Sequence, residues 1–101
     1  MTEKVEVTRD GPVAVFMLNR PEVYNAVDLE TAEEALNQVT ALAADDSVRA
    51  VVVSGKGKAF CAGGDLKWVL GNPQGLGPAF HQLLGRVNPL VLEIRRMRKP
   101  V

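Results

Sequence analysis

The sequence predicts an α/β fold in which strands and helices alternate and pack in layers. Three observations support this prediction. Val13–Leu18 is rich in strand-forming residues, the segment from Asp28 to about Ala44 repeats apolar residues at helical spacing, and Ala50–Val53 is a second run of strand formers. The order strand, helix, strand, helix favours a layered α/β arrangement over an all-helical one.

The first predicted element is a β-hairpin. Val5 begins an alternation of apolar and polar residues, and Asp10-Gly11 favours a tight turn before the strand Val13–Leu18. Pro21 disfavours helix at the residue before it, so the chain is expected to leave the hairpin through a loop.

The next predicted element is an amphipathic helix. Asp28 is a suitable N-cap, and Glu30 places a negative charge in the first turn, where the helix dipole favours it. The polar residues Asp45–Ser47 are expected to end the helix. Its predicted apolar stripe comprises Leu29, Ala32, Leu36, Val39 and Ala43.

The second half of the chain predicts one strand and two helical regions. Ala50–Val53 has four consecutive apolar residues, as expected of a strand covered on both faces, and Leu66–Leu70 has a short helical pattern. Gly71–Pro78 is rich in glycine and proline, which predicts no regular element. From Phe80 to Met97 the apolar residues keep a helical period that Pro89 interrupts, so two helical pieces or one kinked helix are expected.

Length and composition exclude several classes of protein. The 101 residues suffice for one domain or a piece of one, and twelve basic residues balance twelve acidic ones, so no net charge attracts nucleic acid or an anionic membrane. A single cysteine gives neither an internal disulfide nor a metal-ligand spacing, and no metal site is expected. The N-terminal residues lack the pattern of a secretory signal, and no apolar run reaches the length of a membrane span. A cytoplasmic location is therefore expected.

The most informative segment is a small-residue turn between the predicted strand and the short helix. Ala62, Gly63 and Gly64 have almost no side chain, so a ligand can approach their backbone closely. Backbone N–H groups at such a turn, near a helix start, favour an electron-rich oxygen. If that oxygen belongs to a thioester carbonyl, the turn forms half of an oxyanion hole. Without a ligand, the same residues would form a tight turn and nothing more.

Two other chemically reactive side chains give weaker signals. His81 is the only histidine, and it falls on a predicted helix with no acid–base partner recognisable in the sequence. Cys61 lies among apolar residues, which is typical of a small core residue.

Four segments resemble the enoyl-CoA hydratase/isomerase (crotonase) superfamily in their order and spacing. They are Leu18–Glu22, Asn25-Ala26, Val48–Gly55 and Ala59–Leu66. The resemblance runs from about Val5 to the last residue and covers only the N-terminal part of that family's domain. It implies a crotonase-like (ClpP/crotonase-type) α/β fold of layered ββα units, incomplete in this chain. Residues 1–101 would then be the N-terminal part of a single domain, with no internal domain boundary.

The resemblance also implies an acyl-CoA-binding enzyme that stabilises a thioester enolate in an oxyanion hole. The main-chain N–H of Gly64 corresponds to the family's first oxyanion donor. Asp65 is expected to cap the next helix rather than take part in the chemistry, and Trp68 is expected to pack near the acyl pocket. The candidate substrate- and CoA-binding residues are Ala26, Ala62, Gly63, Asp65, Leu66, Lys67 and Trp68. The family further implies coenzyme A as part of the substrate, no tightly bound cofactor, and a homo-oligomer, either a trimer or a dimer of trimers.

The resemblance leaves the reaction open. Hydration, double-bond isomerisation, ring-opening isomerisation and hydrolysis of acyl-CoAs all occur in the superfamily, and the acid–base groups and second oxyanion donor are expected beyond Val101. Many relatives have basic residues where this chain has Val23 and Tyr24. Arg20 and Lys67 are candidates to replace them, unless the contacts with the CoA phosphates come from outside this chain. The alternative function is a non-catalytic crotonase-fold fragment that acts as a binding or interaction module.

Overall fold

The computed structural model describes residues 3–101 and confirms the predicted alternation of strands and helices. A 3₁₀ turn, Pro21–Val23, connects the hairpin to the first helix. The strands and α-helices are β1 (Val5–Asp10), β2 (Val13–Leu18), α1 (Leu29–Ala44), β3 (Ala50–Gly55), α2 (Leu66–Leu70) and α3 (Leu76–Arg96).

The three strands form one sheet in the order β1-β2-β3. β1 and β2 pair antiparallel, and Gly11 adopts a φ of +59° in the turn that joins them, which confirms the predicted hairpin. β3 pairs parallel to β2, with Val51 opposite Ala14. Parallel neighbours need a crossover connection, and α1 supplies it.

The core lies between one face of the sheet and the helices α1 and α3. β2 alternates between half-buried and buried residues, as expected of a strand with one well-covered face. Leu90, Ile94 and Met97 pack against the core from α3 and its C-terminal end. The central buried residues are Val5, Ala14, Phe16, Leu18, Ala35, Val39, Leu42, Val48 and Val51.

Helix α1 begins and ends where the sequence predicts. Asp28 is its N-cap, because its Oδ1 accepts the Thr31 N–H at 2.8 Å. The predicted stripe is partly wrong: Leu36 is only half-buried, as are Leu29 and Ala43, whereas Ala32 and Val39 are buried as expected. The structure buries Thr31, Ala35 and Leu42 in addition, because the helix is covered by both the sheet and α3.

Two other predictions are wrong. β3 is not covered on both faces, because it is the last strand of this sheet and Val52 on its second face is 48% exposed. The Gly71–Pro78 tract is not free of regular structure, because α3 begins at Leu76. Pro78 is compatible with this start, since the N–H groups of the first helical turn have no acceptor within the helix.

Helix α3 runs without interruption through Pro89 to Arg96. Of the two expected alternatives, two helical pieces or one kinked helix, the structure has a single helix, although Pro89 cannot donate to the carbonyl four residues earlier. The apolar residues of α3 that do not reach the core remain exposed; they are Leu76, Phe80, Leu84, Val91 and Leu92. Within residues 3–101, none of the helices has both the length and the apolar character needed to cross a membrane.

Candidate functional site

The turn between β3 and α2 is held against the loop before α1 by two backbone hydrogen bonds. The Val27 N–H donates to Gly63 O at 2.8 Å, and the Asp65 N–H donates to Val27 O at 2.9 Å. These bonds form an isolated parallel bridge between Val27 and Gly64, outside the sheet. The bridge joins the amino end of α1 to the small-residue turn.

The bridge sets the direction of the Gly64 N–H. In this pattern the two neighbours of Gly64 make the hydrogen bonds, so its own N–H and C=O point away from Val27. Gly64 is exposed, and within residues 3–101 its N–H has no hydrogen-bond acceptor. The site therefore presents a free main-chain donor with a fixed orientation.

Glycine is needed at one position of the turn and is replaceable at the other. Gly63 has a φ of +94°, a conformation that strains any residue with a Cβ. A Cβ on Gly64 would lie 3.5 Å from Leu83 Cδ2, which is an ordinary van der Waals contact. Alanine would therefore fit at position 64, and its backbone N–H would be retained.

An apolar cleft of about 280 Å³ opens beside the turn. Its walls combine Gly63 and Gly64 with Val27, Cys61, Phe80, Leu83, Leu84 and Val87. A neighbouring apolar cleft shares Val27, Cys61 and Val87 and extends towards the core. The side chains that line the first cleft carry no charge, so this space suits a hydrocarbon group rather than a polar one.

Asp65 caps α2, as the sequence predicts. Its Oδ1 accepts the Trp68 N–H at 3.1 Å, while its Oδ2 faces Arg20 Nη1 at 3.1 Å. The same Nη1 donates to Ala26 O at 2.5 Å. Arg20 is thus engaged with both segments of the bridge, and its side chain is 14% exposed.

A second carboxylate lies on the other side of Arg20. Asp28 Oδ2 is 2.9 Å from Lys4 Nζ and 3.6 Å from Arg20 Nη2. Burial raises the pKa of Asp28, but hydrogen bonds from Thr31 and Lys4 and the positive charge of Arg20 outweigh it. The pKa is therefore lowered from 3.8 to about 2. Asp28 is ionised at neutral pH and keeps Arg20 between two negative charges.

Asn25 connects the loop before α1 to the loop after β3. Its side chain is buried, and its Nδ2 donates to the carbonyl oxygens of Lys56 and Ala59, each at 2.9 Å. Its Oδ1 accepts the Arg20 N–H at 2.8 Å. Asn25 also has a φ of +60°, a conformation that asparagine tolerates better than most residues. The Asn25 side-chain amide therefore holds the loop that runs from β3 to the turn.

The structure brings together part of the predicted binding set. Ala62, Gly63 and Gly64 are exposed at the turn, and Asp65 follows it as the cap of α2. Ala26 is buried behind the turn, and its carbonyl oxygen is bound by Arg20. On α2, Leu66 and Lys67 are exposed and Trp68 is half-buried.

Lys67 and His81 are both exposed. Lys67 has no ion-pair partner in the described part of the chain. His81 is exposed on α3 and does not line either apolar cleft.

Three residues that shape the site were not assigned roles of this kind from the sequence. Val27 makes the bridge, Arg20 holds the turn, and Asn25 supports the loop that leads to it. A signal was present for Asn25, because an asparagine between two loop residues often occupies a positive-φ position and bonds to nearby backbone. No local signal identifies Val27, because its partner lies 37 residues along the chain.

A larger cleft, about 640 Å³, lies at the opposite end of β3, and it is less suited to be the site. Two of its four basic residues, Lys99 and Arg96, are engaged by the protein itself. Lys99 Nζ donates to Leu42 O and Asp45 O, each at 2.6 Å, at the C-terminal end of α1. Arg96 is paired with Glu93. The free donor and the apolar cleft both lie at the other end.

The chain also matches known proteins in sequence and in fold. Residues 13–101 match the family model of the enoyl-CoA hydratase/isomerases. The chain belongs to the enoyl-CoA hydratase/isomerase family. The crystal structure of an enoyl-CoA hydratase from Mycobacterium smegmatis superposes with a TM-score of 0.90 at 36% identity, over 99% of this chain. A second enoyl-CoA hydratase structure, from Bacillus anthracis, gives a TM-score of 0.87 at 28% identity over 98% of the chain.

A relative with another activity also matches. The 1,2-epoxyphenylacetyl-CoA isomerase of Escherichia coli is 33% identical over 90 residues, which is 88% of this chain and 34% of that enzyme. The chain spans 38% of each of the two hydratase structures. The crotonase-like fold is thus confirmed. The chain corresponds to about a third of the length of these three proteins.

Proposed function

We propose that this chain supplies the first oxyanion donor and part of the acyl-CoA site of an enoyl-CoA hydratase/isomerase-type enzyme. The observation that carries the proposal is the Gly64 N–H, which points away from Val27, has no acceptor within residues 3–101, and lies on the wall of an apolar cleft. Acyl-CoA is the substrate, coenzyme A enters as part of it, and no other cofactor is tightly bound.

The proposed chemistry follows from the charge that a thioester acquires as it reacts. When a proton leaves the α-carbon or a nucleophile adds at the β-carbon, negative charge develops on the thioester oxygen. A donor already fixed towards that oxygen stabilises the charge without reorganising, and one such donor contributes about 3 kcal/mol to lowering the barrier. Gly64 has this fixed orientation, and the neighbouring cleft can hold the acyl group.

The CoA moiety would lie on the exposed side of the turn. Ala62 and Lys67 are exposed there, and Lys67 carries a charge that can attract a phosphate. Leu66, which is 64% exposed, offers an apolar surface beside it. Because Arg20 is bound within the protein, Lys67 is the stronger candidate for a phosphate contact.

The second donor and the acid–base groups are proposed to come from a segment that lies beside the outer edge of β3. The Val51 N–H donates to Pro100 O at 2.9 Å, on the edge of β3 that faces away from β2. If a strand continued this pairing parallel to β3, it would lead towards the carboxyl end of β3, where the turn lies. We propose a cytoplasmic homo-oligomer, a trimer or a dimer of trimers, on the basis of the family resemblance.

Two variants of Gly64 test the proposal in a complete protein that carries this segment. Gly64→Pro removes the N–H, and kcat is expected to fall by about two to three orders of magnitude on the scale of a lost oxyanion donor. Gly64→Ala is the matched control, because it adds a methyl group and keeps the donor. Circular dichroism verifies that both variants are folded. A folded Gly64→Pro enzyme with near wild-type kcat would remove Gly64 from the mechanism.

The alternative, a non-catalytic interaction module, is favoured by one observation. The exposed apolar residues on α3 form a surface that a partner could cover. The two functions differ in turnover by the complete protein with an acyl-CoA substrate such as crotonyl-CoA. The 101-residue chain by itself is expected to give no turnover under either function, because one donor without acid–base groups leaves most of the barrier in place.

A further inference from the structure

We infer that Arg20 is a positioning residue that fixes the orientation of the Gly64 N–H by clamping both sides of the Val27–Gly64 bridge. The inference rests on the proposed function for its catalytic consequence, but the clamp itself is a property of this chain. Arg20 reacts with nothing and acts through the turn.

The geometry of the clamp is specific. Arg20 Nη1 donates to Ala26 O at 2.5 Å and to Asp65 Oδ2 at 3.1 Å. Ala26 immediately precedes Val27 in one strand of the bridge, and Asp65 immediately follows Gly64 in the other. A single guanidinium nitrogen therefore joins the two segments next to the pair of hydrogen bonds that directs the Gly64 N–H.

The charges around Arg20 make the clamp dependent on its guanidinium group. Asp65 lies on one side of it and Asp28 on the other, and the side chains of these two carboxylates are 13% and 11% exposed. If the cation were removed, two poorly solvated carboxylates would face each other with Lys4 as the remaining neighbouring cation, paired with Asp28. Asp65 would then lose its attachment to the loop before α1, and the turn could move with it.

Lysine cannot reproduce this arrangement. A guanidinium group presents several N–H donors in a plane, whereas an ammonium group concentrates its charge at one point on a flexible stem. The observed contacts use Nη1 for Ala26 and Asp65 and Nη2 for Asp28. Arg20→Lys is thus expected to keep the charge and lose part of the clamp, while Arg20→Met loses both.

Amide hydrogen exchange in a complete protein that carries this segment tests the clamp without relying on the proposed function. In Arg20→Met, the Val27 and Asp65 amides, which donate in the bridge, are expected to exchange about tenfold or more faster relative to amides of the central strand β2, such as Phe16. Arg20→Lys is expected to lie between Arg20→Met and the parent chain. Arg9→Met is the matched control, because Arg9 forms an exposed ion pair with Asp45 far from the turn.

The outcomes are distinct. If the bridge amides accelerate no more than the core amides, or if both Arg20 variants lose the whole fold, Arg20 has a general structural role and the inference is wrong.

In the complete enzyme, a misdirected donor is expected to lower kcat by about tenfold while KM for acyl-CoA changes little; a rise in KM alone would instead indicate a substrate contact and overturn the inference. If the exchange result is as expected but Gly64→Pro leaves kcat unchanged, the proposed function fails and the clamp stands.

Discussion

Replacing Asn25 with alanine is expected to destabilise the protein by about 3–4 kcal/mol. The side chain is 1% exposed and makes three hydrogen bonds, to Lys56 O, Ala59 O and the Arg20 N–H. At about 1 kcal/mol for each hydrogen bond, their loss accounts for about 3 kcal/mol. The φ of +60° adds up to about 1 kcal/mol, because alanine tolerates the left-handed region less well than asparagine.

Two variants separate these contributions. Asn25→Gly removes the same hydrogen bonds but accepts a positive φ, so it is expected to be less destabilising than Asn25→Ala by about 1 kcal/mol. Urea unfolding of a complete protein that carries this segment, followed by circular dichroism, measures the free energy of unfolding for each variant. A loss below about 1 kcal/mol in Asn25→Ala would show that the buried amide does not hold the loop. A glycine variant that is less stable than the alanine variant would refute the argument from φ.

Three further predictions concern stability at low pH, the close contact between Gly55 and the Phe60 carbonyl, and the exposed apolar surface of α3. Because the pKa of Asp28 is lower in the folded protein than in the unfolded chain, its carboxylate is expected to contribute about 2 kcal/mol of stability above pH 4 that is lost as the pH falls towards 2. Urea unfolding from pH 6 to pH 2 is therefore expected to show a shallower loss in Asp28→Asn than in the parent chain, and equal slopes would contradict the assignment. Gly55→Ala is expected to cost about 3 kcal/mol, because a Cβ there would collide with the carbonyl oxygen of Phe60. Gly77→Ala, where a Cβ meets nothing within 4 Å, is the control in the same thermal melt; equal melting temperatures would show that the Gly55 contact relaxes freely. Finally, the apolar residues exposed on α3 predict that the chain self-associates or is marginally stable. Sedimentation measures the association and a thermal melt measures the stability; a monomer with a sharp melt at high temperature would refute this prediction.

The parts of the fold that the sequence predicts are those determined by neighbouring residues. The Asp10-Gly11 turn, the N-cap Asp28 and the N-cap Asp65 each act within a few residues, and all three are confirmed. The location of the turn at Gly63 and Gly64 was likewise predictable, because small residues between a strand and a helix are a local pattern.

The errors arise where distant parts of the chain decide the outcome. The exposure of Val52 depends on whether another element covers the second face of β3. A run of four apolar residues does not contain that information. Helix α3 continues through Pro89, with Leu90 and Ile94 packed against the core after the proline and Leu83 and Val87 lining the site cleft before it. The role of Arg20 depends on an ion pair with a residue 45 positions away, so its sequence neighbours could not distinguish a clamp from a phosphate ligand.

The donor at Gly64 belongs to the main chain, and this affects how such a site can be found by mutagenesis. An alanine scan leaves a backbone amide intact, and at this position it adds a methyl group that the structure can accommodate. Position 64 would therefore pass through side-chain scanning unnoticed, while Arg20 or Asn25, which do no chemistry, would stand out. An amide-to-ester replacement between Gly63 and Gly64 deletes the hydrogen and adds no side chain, so semisynthesis tests the proposed donor in a way that substitution of side chains cannot.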